Sequence, residues 1–301
     1  MTDYRMKKIA FIINPVSGAK KQQDIKRTLP ERLSQILDST QWSVSIAQTE
    51  YAGHATLLAQ QYATQGFDAV VAVGGDGTVN EIACGLRDTQ TAMAILPMGS
   101  GNGLARHLHI PMDVNKAIDL LNHCEPMRID YGLANDRLFV CTCGTGFDAT
   151  VAERFAGNTR RGFMTYIRTV IRFVFTYRSL SYHITGEGLD ETHRAFLITF
   201  ANANQWGNEA IIAPKANLQD GKMDIIIMSP NALWGSLPLA VRLFAGNIDR
   251  SPMIQTLRAG DILLQRECAA AFHIDGDPVQ IGQDIRIRIV KAGLSVLVPK
   301  P

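Results

Sequence analysis

No stretch of about 18 residues runs apolar without a charge or a proline, so the sequence predicts no membrane-crossing helix. The opening residues, Met1 to Lys8, are polar and lack the apolar core of a secretory signal, which makes the cytosol the expected location. Cysteine is scarce. Cys84, Cys124, Cys141, Cys143 and Cys268 are odd in number and include no Cys-x-x-Cys pair, so reduced, mostly buried thiols are expected and a zinc site is not. Neither sign of charge dominates: a net charge of +2 gives no global reason to expect a nucleic-acid partner. Internal repeats and low-complexity segments are absent. What remains is a chain of 301 residues, 46% hydrophobic and 19% charged, long enough for one large or two ordinary globular domains.

The most informative stretch is Gly74-Gly75-Asp76-Gly77-Thr78-Val79-Asn80-Glu81. It follows Asp68 to Val73, an apolar, Val-rich run of the length of a buried parallel strand, and precedes a helical pattern from Val79 to Leu86. Three glycines in four residues let the backbone approach a ligand closely, and the helix start behind them offers free N–H groups to a phosphate. Asp76 is the odd member. A carboxylate beside phosphates repels them unless it holds a metal, takes a proton or orients a group that does, so it points to chemistry. The alternative is a plain strand-to-helix turn in which Asp76 caps the following helix.

Three further strand ends in the first 106 residues carry glycine and polar side chains. The strand Met6 to Ile13 ends in Asn14-Pro15-Val16-Ser17-Gly18. The strand Trp42 to Gln48 delivers Thr49-Glu50-Tyr51-Ala52-Gly53-His54, and Ala92 to Leu96 ends in Pro97-Met98-Gly99-Ser100-Gly101-Asn102-Gly103. On a doubly wound parallel sheet the four turns converge on one edge as a nucleotide cleft. Pro30 interrupts the helical pattern Gln22 to Leu37, and Asp113 is placed to cap a helix running to His123. From about Arg128 the pattern becomes one of short strands between Gly, Asn, Asp and Pro turns: Met127 to Ala134, Arg137 to Cys143, Ser181 to Ile184, Ala195 to Ala201, Met223 to Met228, Asp261 to Arg266, Ala270 to Ile274 and Ile285 to Val290. This predicts an α/β domain over residues 1–127 and a mainly antiparallel β-sandwich over 128–290.

The four turns together resemble the diacylglycerol kinase catalytic-domain family, which includes bacterial lipid kinases and sphingosine kinases. NAD kinases and phosphofructokinases share the shorter Gly-Gly-Asp-Gly core, and Asn80 and Glu81 favour the lipid kinases. The run Ser100-Gly101-Asn102-Gly103-Leu104-Ala105 looks closer to the sphingosine kinases than to many bacterial members. The resemblance implies an ATP site lined by Asn14, Pro15, Ser17, Gly18, Thr49, Gly74, Gly75, Asp76, Gly77, Thr78, Asn80, Glu81 and Ser100, in an NAD-kinase- and phosphofructokinase-like first domain to which residues 291–301 return.

In the second half, Asn217-Leu218-Gln219-Asp220-Gly221-Lys222 reads by itself as a hairpin turn. By the resemblance it implies a Mg2+ site, with the Asp220 carboxylate flanked by carbonyls of Asn217 and Lys222, hard oxygen ligands of the kind magnesium requires. Asp275-Gly276-Asp277-Pro278 is again a hairpin signal, and the resemblance assigns the proton acceptor to Asp277. Either Asp277 or Asp76 could take the proton; Asp277 as base, with Asp76 organising phosphate and metal, is the favoured assignment. Between Arg160 and Arg178 an apolar helical face opposes Arg161, Arg168 and Arg172, and no acidic residue occurs from 154 to 186. Such a segment packs on its own domain or lies on an anionic membrane surface. The expectation is an ATP- and magnesium-dependent kinase of a lipid hydroxyl, cytoplasmic, with peripheral contact to the inner membrane surface and with a homodimer left open. The rivals are a kinase of a soluble acceptor such as NAD, and a nucleotide- or lipid-binding regulator without turnover.

Overall fold

The computed structural model describes residues 5–18, 20–156, 177–230 and 236–300. It divides into two compact units, Met1–Ile129 with Ala292–Pro301, and Asp130–Lys291.

The first unit is built on β1 (Lys7–Ile13), β2 (Trp42–Gln48), β3 (Ala69–Gly74) and β4 (Ala92–Pro97), paired in parallel in the order β2-β1-β3-β4. β3 and β4 are buried at every position, so their continuous apolar runs meet the needs of strands covered on both faces. The helices are α1 (Lys20–Arg27), α2 (Leu29–Ile36), α3 (His54–Thr64), α4 (Asp76–Leu86), α5 (Gly103–His107) and α6 (Val114–Leu120). Pro30 separates α1 from α2 by falling in the first turn of the latter, where its missing N–H has no intrahelical partner to lose. Asp113 caps α6 by accepting from the Lys116 N–H at 3.0 Å. The sheet order reverses direction between β1 and β3, and this is where ligands enter open α/β sheets, outside the carboxyl ends of the strands.

The second unit is a sandwich. Its strands are the end of β5 (Glu125–Ala134), then β6 (Arg137–Phe139), β7 (Thr142–Gly146), β8 (Leu180–Gly186), β9 (Leu189–Ala195), β10 (Leu197–Ala201), β11 (Gln205–Gly207), β12 (Ala210–Ile211), β13 (Met223–Met228), β14 (Ile254–Ala259), β15 (Asp261–Arg266), β16 (Phe272–Ile274), β17 (Asp277–Val279) and the first part of β18 (Asp284–Val298). Helices α7 (Phe147–Ala156) and α8 (Ser236–Phe244) interrupt them. One sheet runs β14-β13-β10-β7-β16-β17, antiparallel throughout. The other runs β18-β15-β8-β9, each strand antiparallel to the next. Phe200, Ile225, Ile227 and Phe272 of the first meet Tyr182, Ile184, Ile262, Leu264 and Ile287 of the second in one buried core.

Three expectations are corrected here. Arg137 to Cys143 is not one strand: β6 ends at Phe139 and β7 starts at Thr142 in the other sheet. The cause is Asp275, whose carboxylate accepts from the N–H groups of Val140, Cys141 and Thr142 at 2.9, 2.8 and 3.0 Å, satisfying the backbone where the chain changes sheets. Ala195 to Ala201 is likewise two strands, because Ala195 ends β9 on the β8 edge and Leu197 begins β10 in the opposite sheet. Thirdly, Ile285 to Val290 is part of one 15-residue strand, β18, that leaves the second unit and pairs Val296 with Met93 of β4 in the first. The expected amphipathic segment Arg160 to Arg178 lies, up to residue 176, outside the described residues.

Replacement of Asp275 tests the sheet-changing corner. Hydrogen bonds to a charged group contribute about 1.5–3 kcal/mol each, and Asp275→Ala orphans three donors, so we expect roughly 3–5 kcal/mol of destabilisation in urea unfolding. A loss below about 1 kcal/mol would show that water takes over these N–H groups.

Candidate active site

The carboxyl ends of β1 and β3 meet at the sheet's reversal, and their loops are joined there. The Asn14 N–H donates to the Val73 carbonyl at 3.1 Å, and Asn14 Nδ2 donates to Thr78 Oγ1 at 3.1 Å. Asn14 Oδ1 accepts from the Val16 N–H at 3.1 Å, which closes a turn through Pro15. A Cβ on Gly74 would collide with the Thr78 side chain. Gly18, at φ +81°, has room only for hydrogen, since a Cβ there would lie 2.5 Å from the Met98 carbonyl oxygen. Pro15 and Val16 are exposed at the loop's surface, and Ser17 is half-buried.

The third and fourth turns touch backbone to backbone. A Cβ on Gly99 would sit 2.6 Å from the Gly75 Cα, so the approach of the two turns requires glycine. Asp76 is not the N-cap of α4, a position that Gly75 holds. Instead the Asp76 carboxylate crosses to the fourth turn and accepts from the N–H groups of Asn102 at 2.9 Å and Gly103 at 2.7 Å, the start of α5. Burial pushes its pKa above the ordinary 3.8, against the pull of these two donors, of the residue's own N–H and of Arg106. Asn102 completes the clasp in the left-handed region at φ 53°, with Oδ1 accepting from the Gly99 N–H and Nδ2 donating to the Gly99 carbonyl, both at 2.9 Å. Ser100 is exposed beside it.

Glu81 reaches the second turn. Its carboxylate accepts from the N–H groups of Gly53 at 2.8 Å and Ala55 at 3.1 Å, taking up free donors at the start of α3. It therefore acts on the fold of the site. Thr49 hangs from β1 through its N–H to the Ile13 carbonyl at 2.9 Å, and His54 stacks on Tyr51 with ring centroids 4.6 Å apart. Asn80 lies one turn into α4 near Cys84, whose Sγ is 3.7 Å from its Oδ1. The first unit thus brings all four predicted turns to one sheet edge, with Gly77 and Thr78 opening α4 between them.

Sequence reasoning did not single out Lys26, whose ammonium lies beneath the first turn and donates to Asn14 and Ser17. Nor did it list Asn102, although the motif that contains it was quoted. A single lysine on a polar helix carries no local signal; the Asn102 role was visible in its motif.

In the second unit the loop Asn217 to Lys222 is tied down by a residue far off in sequence. Asp130, 2% exposed, accepts from the Gly221 N–H at 2.6 Å and donates its own N–H to the Leu218 carbonyl at 2.6 Å. Asn217 Oδ1 accepts from the Gln219 N–H at 3.0 Å, and Asp220 Oδ1 accepts from the Lys222 N–H at 2.9 Å. Arg258 binds the other oxygen of Asp220, and its Nε donates to Asp224 at 2.8 Å. Among the described residues there is no cluster of three His, Cys, Asp or Glu side chains able to hold a metal. The loop still fits a magnesium ion in donor chemistry: it offers a carboxylate and carbonyl oxygens on a compact turn, and a cation already balances it, the Arg258 guanidinium.

Asp275 and Gly276, at φ 48° and 88°, form the two-residue hairpin turn between β16 and β17, with Ile274 opposite Asp277. Two carboxylates one residue apart thus do different work. Asp275 turns inward onto three backbone donors, whereas Asp277 is exposed at the start of β17. His273, 4% exposed, braces the same turn: its Nδ1 lies 3.4 Å from the Gly276 N–H and its Nε2 lies 3.0 Å from Asp148 Oδ2 on α7. An imidazole that accepts at Nδ1 carries its proton at Nε2, so it donates to Asp148. Asp148 was missed because nothing near Phe147 to Ala156 in sequence points to a histidine 125 residues away.

Residues 8–134 match the family model of the diacylglycerol kinase catalytic domain, and residues 141–298 match that of the YegS C-terminal NAD kinase beta sandwich-like domain. A diacylglycerol kinase of Staphylococcus saprophyticus is 27% identical over 275 residues, covering 90% of this chain and 89% of that protein. A diacylglycerol kinase of Staphylococcus aureus strain MRSA252 is 28% identical over 275 residues, covering 90% and 86%. The crystal structure of a diacylglycerol kinase from Bacillus anthracis strain Sterne superposes with a TM-score of 0.72 at 20% identity over 99% of this chain and 98% of that one, a likeness of fold. With two domain models matched in sequence over nearly its whole length, on the two units that carry the glycine turns and the sandwich, the chain belongs to the diacylglycerol kinase catalytic-domain family.

Proposed function

We propose that the chain transfers the γ-phosphate of ATP to a hydroxyl group of a lipid such as diacylglycerol or a sphingoid base. The observation that carries this reading is the clasp at the sheet's reversal, where the Asp76 carboxylate, Asn102 and the Gly75–Gly99 contact hold glycine turns at the carboxyl ends of the strands. Turns so pre-organised offer N–H groups to phosphates without rearrangement during reaction. Asn14, Pro15, Ser17, Gly18, Thr49, Gly74 to Thr78, Asn80 and Ser100 take the nucleotide, with Glu81 setting the second turn. Asp277 accepts the proton of the lipid hydroxyl, the freed oxygen forms a bond to the γ-phosphorus, and the bond to the β-phosphate oxygen breaks to release ADP. Magnesium, when bound, supplies charge neutralisation for the phosphates, and Asp220 with the carbonyls of Asn217 and Lys222 would hold an ion in the second unit, replacing Arg258 as the balancing charge.

Among the described residues no helix is long and apolar enough to cross a membrane. The test is transfer from γ-labelled ATP, with magnesium, to diacylglycerol, monoacylglycerol, sphingosine, ceramide and phosphatidylglycerol in mixed micelles, with NAD as a soluble acceptor. Label on one lipid is expected. Label on NAD alone replaces the lipid acceptor with a soluble one, and label on none of them overturns the reading.

A further inference from the structure

Lys26 is a buried cation that the reaction so far does not use. It lies on α1, 7% exposed, and its ammonium donates to the carbonyl oxygens of Asn14 at 2.5 Å and Ser17 at 2.6 Å and to Ser17 Oγ at 2.7 Å. All three partners are neutral. Among the described residues no carboxylate forms an ion pair with it. On its own helix, Asp24 is exposed and sits 3.8 Å from Arg27. On α2, Glu31 is exposed, and Arg32 donates to Thr28 and Asn115. On α4, Asp76 is engaged by Asn102 and Gly103. The loop above, Asn14 to Gly18, has no charged side chain. A positive charge taken out of water with only dipoles around it is costly, and burial alone draws the Lys26 pKa down to about 8.

The arrangement also sets which way the loop faces. No peptide bond here is cis, so with the Ser17 carbonyl turned down to Lys26 the next N–H, that of Gly18, points to the opposite side. The Asn14 carbonyl is likewise turned down, and the residue after it is Pro15, which has no N–H to place. The Val16 N–H is held by Asn14 Oδ1 and the Ser17 N–H by the Asn14 carbonyl, so a lysine that draws the Ser17 carbonyl inward leaves the Gly18 N–H as the loop's donor toward the outer side.

We propose that Lys26 is a positioning residue whose buried charge is completed by a phosphate group docked on the outer side of the Asn14–Gly18 loop, so that nucleotide binding is coupled to proton uptake by Lys26. This rests on the nucleotide reading of the loop. An anion close by favours the charged ammonium, so binding raises the Lys26 pKa, and by linkage the affinity falls as pH rises through about 8.

The experiment is calorimetric titration of ATP into the full chain between pH 6.5 and 9, in two buffers of different ionisation heat. Near pH 8 Lys26 is neutral in about half of the free protein, so wild type should take up roughly half a proton per ATP through it, and almost none at pH 6.5. Lys26→Arg, charged at every pH used, should bind ATP without that uptake and with a flat pH profile. Lys26→Met should bind about tenfold or more weakly at pH 7, the factor that one unit of pKa shift represents, with the gap narrowing by pH 9. Equal proton exchange in wild type and Lys26→Arg, or equal affinity of wild type and Lys26→Met at pH 7, overturns the proposal while leaving ATP at the loop. Failure of wild type to bind ATP overturns the nucleotide reading and this inference together.

Discussion

Asp76→Asn is expected to lower phosphate transfer by about 10²- to 10⁴-fold, the range for losing a positioned carboxylate in a proton-transferring site. The substitution preserves shape but not pattern. Asp76 accepts from two backbone donors, Asn102 and Gly103 N–H, and an amide offers one oxygen and one NH2 group, so one donor would face another donor. The fourth turn then loses its clasp to the third. Stability and activity should part company in their pH dependence. Because burial raises the folded-state pKa above 3.8, the folded state binds a proton more tightly than the unfolded chain there. The contribution of Asp76 to stability is therefore fully present below pH 3.8 and is lost as pH rises through the shifted value, while turnover needs the carboxylate charged and rises over the same range. Thermal melting of wild type and Asp76→Asn across the acid range should show this slope in wild type only. An Asn variant with near-normal turnover would remove Asp76 from the mechanism.

The second large effect is expected at Asp277, and its value lies in the contrast with its neighbour. Asp277→Asn should cost about 10²- to 10⁴-fold in kcat, with the KM for ATP little changed, because the lost group acts on the acceptor hydroxyl and not on the nucleotide. Its stability cost should be within about 0.5 kcal/mol, since the residue is exposed at the start of β17. Asp275, two residues earlier, should behave in the opposite way, through unfolding. Steady-state kinetics and urea unfolding on the same two variants separate the roles. If Asp277→Asn turns over normally while Asp76→Asn does not, Asp76 becomes the base.

Much of the site was legible because its chemistry is local. Asn14 to Gly18, Thr49, Gly74 to Glu81 and Ser100 each follow an apolar run that ends in glycine and a polar side chain, and a parallel strand delivers such a turn to one edge of its sheet. The strands β3 and β4 were equally plain, being buried on both faces. The edge strand β9, Leu-Asp-Glu-Thr-His-Arg-Ala, was not read, because pairing to β8 alone sustains it and its side chains are largely wet. The break between β6 and β7 was invisible for a different reason: the residue that satisfies those N–H groups is Asp275, more than 130 positions later.

The sequence by itself determined the elements of the first unit, the two kinds of domain, the glycine turns and the family, since all of these follow from short-range periodicity and contiguous motifs. Only the tertiary structure decided what the polar side chains bind. It sent Asp76 to the start of α5, gave Glu81 to the start of α3, and joined Asp130 to Gly221 and His273 to Asp148. It also left Lys26 buried under the first turn among neutral oxygens. A buried polar atom must find its partner wherever the packed chain brings one, and that partner is fixed by distance in space, on which position along the chain carries little information.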